Sequence, residues 1–325
     1  MTWEKRLCAV QLMGFTERQA GFLVTVMLYA GVCFCRHYCT FARIRHGKAV
    51  TDFFQGLVER GYATVRGCKH PTARLFHIHH KSLYRAIGEE HNRNRRPTVL
   101  ARAIERVMML DGVLADRAHT WLATEHDKVA HFTSQFAIPR SDLPVRVYEG
   151  RNSETARYFP DKLPIAFDSD GRTHLFLYLA TDRRPAGFRA FLESHAELLR
   201  ALPAWTIRLL VPWVRQESLP LYQEAFAQQL ASPVSPTMLN DLRWYFHARS
   251  TRQGEVDERF HEAAYAFDTP RFEALYRAYL ERGEGVLDAT LSPTLPDAIA
   301  RRTGQLECHV LPHRYAYLSS LVGTA

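Results

Sequence analysis

The sequence predicts an α+β fold, and three observations carry that expectation. Apolar residues recur at helical spacing through positions 16–60 and then follow a strand pattern through 62–79. A hairpin, a helix and a wholly apolar strand follow one another between 163 and 212. Beyond Pro212 the pattern is mostly helical, with helices that open on Ser-Pro or Thr-Pro. A chain of 325 residues, 46% of them apolar, is long enough for two cores.

The first clear helix start is Gly14-Phe15-Thr16-Glu17-Arg18-Gln19, where Thr16 can cap and Gln19 completes a capping box. The helix presents Ala20, Leu23, Val24, Met27 and Leu28 and stops at Gly31. Val32-Cys33-Phe34 is strand-like, and Arg36 to Phe41 makes a short second helix. After the basic connector Arg43-Ile44-Arg45-His46-Gly47-Lys48, a third helix runs to about Arg60 with Val50, Phe53, Phe54, Leu57 and Val58 inward. Tyr62–Arg66 and Arg74–His79 then form a hairpin around the basic loop 67–73. Three helices followed by a hairpin with a basic tip predict a winged helix-turn-helix over residues 1–96. The third-helix ending Phe54-Gln55-Gly56-Leu57-Val58-Glu59-Arg60-Gly61-Tyr62 resembles that of such domains.

Charge points to the same segment. Residues 1–100 hold 16 basic and 6 acidic side chains and carry +10, whereas residues 101–325 hold 26 and 28 and carry −2. A localised positive field calls for a polyanion, most simply double-stranded DNA. The expected DNA-binding residues are Arg36, Arg43, Arg45, His46 and Lys48 around the third helix, with Thr51 and Gln55 able to reach base edges. Arg66, Lys69, His70 and Arg74 on the wing, and Arg95 and Arg96 behind it, complete the set.

Other classes are set aside. Met1-Thr2-Trp3-Glu4-Lys5-Arg6 does not read as a secretory signal, and the uncharged run Gln19–Cys35 is short for a bilayer span and broken by Gly31. Five of six cysteines precede position 69 and make no disulfide framework, so a cytoplasmic, nucleoid-associated location is expected. Cys33-x-Cys35-x-His37-x-Cys39 lacks the two-knuckle spacing of structural zinc, and His77 and His79 share a strand face. Neither predicts a metal, and no cofactor is expected.

Pro97 suits the first turn of a helix to about Ala115, whose stripe Leu100, Ile104, Val107 and Met108 fits either a core or a dimer seam. Residues 97–137 therefore read as a helical connector, a possible dimerisation segment. The proline-rich stretch from Ile138 to Asp161 reads as a linker opening a second domain, 138–325. There, strands Leu163–Phe167 and Thr173–Ala180 flank the turn Asp168-Ser169-Asp170-Gly171. A helix from Ala186 to Ala201 leads to the buried strand Thr206–Pro212. The later helices carry Trp244, Tyr245, Phe246, Phe272, Tyr276 and Tyr279, aromatics expected in a core, and residues 306–318 read as a terminal hairpin.

Over roughly residues 12–212, this order resembles the replication-relaxation type of plasmid and mobile-element protein. Trp121-Leu122-Ala123-Thr124-Glu125 looks like that family's W-x-x-E segment, and Phe159-Pro160-Asp161 like its Pro-Asp. The resemblance implies a winged helix followed by helices and a degenerate, restriction-endonuclease-like α/β domain, here with a helical extension. Active nucleases of that kind carry (D/E)-x-K where this chain has Phe176-Leu177-Tyr178-Leu179-Ala180-Thr181-Asp182. Tyr178 and Ala180 cannot hold Mg²⁺ or steady an attacking water. No catalytic residue is therefore expected, and the alternative is a metal-dependent nuclease or nickase using Asp161 and Asp182. The leading expectation is a DNA-binding regulator of transcription or replication in a bacterial plasmid or integrated element. It would act as a homodimer with its second domain a scaffold for protein partners; a third reading is a non-enzymatic adaptor in a larger DNA-processing assembly.

Overall fold

The computed structural model describes residues 1–68, 73–116, 118–149, 154–251 and 258–315. The chain divides into two compact units. One takes in Met1–Thr124, Leu210–Gln216 and the chain from His309 on, and the other Glu125–Leu209 and Glu217–Cys308. Helices and several small sheets make the protein α+β.

In the first unit, α1 (Trp3–Gln11) and α2 (Glu17–Tyr29) precede β1 (Val32–Cys33), α3 (Cys35–Ala42) and α4 (Lys48–Glu59). The hairpin β2 (Ala63–Gly67) and β3 (Arg74–Ile78) follows, then α5 (Lys81–Ala86), α6 (Leu100–Ala115) and β4 (Thr120–Leu122). The capping box forms: Gln19 N donates to Thr16 Oγ1 at 3.3 Å and Thr16 N to Gln19 Oε1 at 3.0 Å. Every residue from Ala20 to Leu28 is buried. The helix is thus enclosed on all sides rather than along one stripe, because α1, α3 and α6 pack around it.

The end of α2 is closed from a distance. Gly31 has φ +71°, and a Cβ there would lie 2.3 Å from the carbonyl oxygen of Asn94, so only glycine fits. Asn94 is itself buried, and its Nδ2 donates to the carbonyls of Met27 and Leu28 at 3.1 Å each. It thereby satisfies two of the acceptors that a helix end leaves open.

The small sheet has the order β1-β3-β2, with Cys33 opposite Phe76, and Ala63 through Gly67 opposite Ile78 through Arg74. Aromatic rings fill the space between sheet and helices. Phe22 meets Tyr38 at 5.1 Å and Phe54 at 6.2 Å, and Phe54 meets Phe76 at 4.5 Å. Such pairs contribute about 0.5–1.5 kcal/mol each beyond the area they bury. The stripe of α6, including Ile104, Val107 and Leu110, is buried, and the helix packs on α2, α3 and β1.

The second unit contains α7 (Glu125–Ala130), the hairpin β5 (Val145–Glu149) and β6 (Glu154–Tyr158), then β7 (Ile165–Phe167), β8 (Thr173–Leu179), α8 (Ala186–Ala201) and β9 (Ala204–Val211). Helices α9 (Leu219–Phe226), α10 (Pro236–Thr251), α11 (Glu258–Ala266), α12 (Pro270–Arg282), α13 (Gly285–Ala289) and α14 (Thr294–Ala300) lead to β10 (Gly304–Val310). Strands β10, β9, β8 and β7 lie side by side in that order. The β7–β8 pair is antiparallel, with Ile165 opposite Phe176. Its turn uses the acidic residues structurally. Asp168 Oδ1 accepts from the Arg172 and Thr173 N–H groups, and Asp170 Oδ1 from Arg172.

Two details depart from the sequence reading. The stretch 138–161 is not a plain linker but contains the β5–β6 hairpin, paired from Val145–Tyr158 to Glu149–Glu154. The expected terminal hairpin shows its first strand in β10, beside β9, while residues 316–318 lie outside the described residues. The helical part has its own core, in which Phe246 meets Tyr276 at 5.0 Å beneath Leu239, Leu242 and Leu287.

Candidate nucleic-acid interface and carboxylate site

The connector between α3 and α4 is forced outward by its own backbone. Arg43 ends α3 in the left-handed region at φ 55°, and Gly47 enters α4 in an extended conformation with no capping side chain. The Val50 and Thr51 N–H groups bond back to the Gly47 carbonyl, so Lys48 and Ala49 hold the uncapped N–H groups that open the helix. Arg43, Arg45, His46 and Lys48 surround this opening, all exposed and with no acidic partner among the described residues. Unneutralised cations at a bare helix N-terminus make a surface suited to oxyanions.

One turn into α4, Thr51 and Gln55 are also exposed. Thr51 Oγ1 donates to the Gly47 carbonyl at 3.4 Å, and Gln55 Nε2 to Glu59 Oε1 at 2.7 Å. Arg66 and Arg74 stand exposed near the open end of the β2–β3 pair, again without an acidic partner among the described residues. Lys69 and His70 fall outside the described residues. Arg96 is exposed, and Arg95 is half-buried with Nε donating to the Glu90 carbonyl at 3.1 Å.

Arg36 stands apart from this group. Its Nη1 and Nη2 grip Asp111 Oδ1 and Oδ2 at 2.5 and 2.7 Å, and Tyr315 Oη donates to Oδ2 at 2.6 Å. His37 Nδ1 accepts the Phe34 N–H at 2.9 Å, which leaves its own proton on Nε2, 3.1 Å from Asp111 Oδ1. Burial pushes the Asp111 carboxyl up, but the bonds from Arg36 and His37 outweigh it and hold the group well below the usual carboxylate range. Burial also lowers His37, with Asp111 opposing. The guanidinium of Arg36 is thus committed to an internal ion pair. No spacing rule links positions 36, 111 and 315, so sequence reasoning could not find this cluster.

In the second unit, Asp161 lies in a bent loop. Phe159 and Lys162 both take positive φ, 50° and 57°, which costs a non-glycine residue on the order of 1 kcal/mol each. Asp161 Oδ1 accepts the Leu163 N–H at 3.0 Å, and Oδ2 lies 3.5 Å from Nε2 of the buried His195. The buried Lys128 donates to the Leu163 carbonyl at 2.5 Å and lies 5.4 Å from the centre of the Phe159 ring. Burial lowers His195, while Asp161 works against that shift. Lys128 was not singled out from sequence, since it reads as an ordinary surface position of a short helix.

Asp182 is exposed beyond β8, where Thr181 Oγ1 donates to its Oδ2 at 3.2 Å. Just past the end of β8, Ala180 is buried, and on the strand itself burial pushes the Tyr178 hydroxyl well up. Among the described residues no three His, Cys, Asp or Glu side chains gather as metal ligands. No described helix is long and apolar enough to cross a membrane. Comparison with known protein families, curated proteins and solved structures finds no match for this chain.

Proposed function

We propose that the chain is a duplex-DNA-binding regulator of transcription or replication in a bacterial plasmid or integrated mobile element. In this reading, residues 1–96 are a winged helix-turn-helix and the second unit is a nuclease-like scaffold for dimerisation or protein partners. The order α2, α3, α4, then the β2–β3 hairpin with β1 on its return strand, supports the winged-helix assignment. One observation carries the function. Four exposed basic side chains, Arg43, Arg45, His46 and Lys48, ring the uncapped start of α4 with no acid among the described residues to neutralise them. Phosphates fit the helix opening, Thr51 and Gln55 face base edges, and Arg66 and Arg74 reach the flanking backbone.

The test is fluorescence anisotropy with duplex DNA over a salt series. Affinity should fall steeply with salt as contacts release counterions. Joint charge reversal at Arg45, Lys48, Lys69 and Arg74 should abolish binding, and unchanged affinity would remove the proposed surface. Incubating supercoiled DNA with Mg²⁺ or Mn²⁺ addresses the enzyme alternative: nicking that disappears in Asp161→Ala would replace the scaffold reading with a nuclease.

A further inference from the structure

The second unit contains a small open pocket walled by α8, the turn after α9, α12 and the segment from Thr290 to Pro296. Glu193, Ala196 and Arg200 line it from α8, and Arg271 from the first turn of α12. Arg189 precedes Glu193 by one helical turn and so belongs to the same stripe of α8.

The charges here do not balance locally. Glu193 is already engaged, with Oε1 3.6 Å from Arg282 Nη2 and Oε2 accepting from Gln229 Nε2 at 2.7 Å. Arg200 is paired with Glu197 at 2.6 Å. Arg271 instead donates to the Ser232 carbonyl, and Arg189 Nη2 to Gln228 Oε1 at 2.6 Å. Neither has a carboxylate within ion-pair distance among the described residues, although Glu224 and Glu193 lie close enough to attract Arg189 and Arg271 respectively. Arg189 is only 5% exposed, and its Nε and Nη1 have no hydrogen-bond partner, nor does the buried Nε of Arg200. Burial lowers Arg271, opposed by Glu193 and reinforced by the like charge of Arg189.

A buried guanidinium without a counter-ion is costly, and its complement is an anion with several acceptor atoms. The wall also carries Ser232, whose hydroxyl donates to the Ala227 carbonyl at 3.2 Å, and Ser292, whose hydroxyl lies 3.0 Å from Thr294 Oγ1. We propose that this pocket binds a phosphate-class oxyanion, held by Arg271 and Arg200 with Arg189 supplying positive charge behind them. The site is separate from the basic surface of the first unit and does not depend on the DNA-binding reading.

Thermal unfolding of the full chain in sodium phosphate, against sodium chloride at equal ionic strength, tests it. The melting temperature should rise saturably with phosphate, as binding to the native state requires, and sulfate should compete in calorimetry at one site per chain. Arg271→Gln should weaken phosphate binding at least tenfold, whereas Arg102→Gln, at an exposed position of α6 outside both proposed surfaces, should leave it unchanged. Without phosphate, Arg271→Gln should melt no lower than the native chain, because it removes a cation that burial and the like charge of Arg189 disfavour. A response equal in chloride, or one that survives both Arg271→Gln and Arg189→Gln, overturns the proposal. Should those variants fail to fold, absence of saturable, sulfate-competed binding to the native chain overturns it equally.

Discussion

The Nε2 atoms of His131 and His174 face each other at 2.9 Å in the second unit, with both rings buried and His131 stacked on Phe167 at 4.5 Å. One ring must donate and the other accept, so the contact needs at least one neutral imidazole. Burial lowers both to about 4. Each group's folded value lies below its unfolded value near 6.5, so its stabilising effect is complete above pH 6.5 and lost as pH falls toward 4. The expected loss is on the order of 3 kcal/mol per histidine by pH 4. Denaturant midpoints at pH 7.5 and 5.0 should therefore differ more for the native chain than for a His131→Phe/His174→Gln variant.

Removing the carboxylate at position 111 should damage the first unit strongly. Asp111→Asn takes the charged acceptor away from the half-buried Arg36 and the buried His37, a loss of roughly 2–3 kcal/mol. Tyr315→Phe deletes only the hydroxyl bond and should cost about 1 kcal/mol. Chemical denaturation followed by a probe in the first unit would measure both, and equal effects would contradict the central place given to Asp111.

Asn94→Ala should cost about 2–3 kcal/mol, because the carbonyls of Met27 and Leu28 lose their donor in a buried setting. Hydrogen exchange should show the last turn of α2 opening more readily while its capped start at Thr16 stays protected.

Within the DNA surface, two neighbouring substitutions should behave differently. Lys48→Ala should weaken binding to all sequences alike and reduce the slope of log affinity against log salt by about 1. Gln55→Ala should alter preference among DNA sites by roughly 1–3 kcal/mol and leave that slope unchanged. Competition between oligonucleotides at two salt concentrations separates the outcomes.

What could be read in advance was local. The Thr16–Gln19 box, the apolar periods of α4 and α8, and the Asp168–Gly171 turn depend on residues a few positions apart, and they formed where their chemistry places them. The β5–β6 hairpin was hidden because Val147 and Tyr148 are exposed, so no apolar alternation marks a buried face. Asn94 read as part of a basic run, and its role depends on a carboxamide meeting a helix end 66 positions earlier. Around Asp161, the nearby acidic turn was legible, but the approach of His195 and Lys128 depends on how helices pack, which no short-range pattern encodes.

The bond from Tyr315 to Asp111 also sets an order of assembly. The first unit draws on both the opening and the closing stretches of the chain, with the second unit encoded between them. During translation, the tyrosine that completes the Asp111 cluster leaves the ribosome only after the intervening unit has been made. A chain that stops short of Tyr315 therefore carries Arg36 and Asp111 without that contact, and the first unit closes only after the unit encoded between its parts.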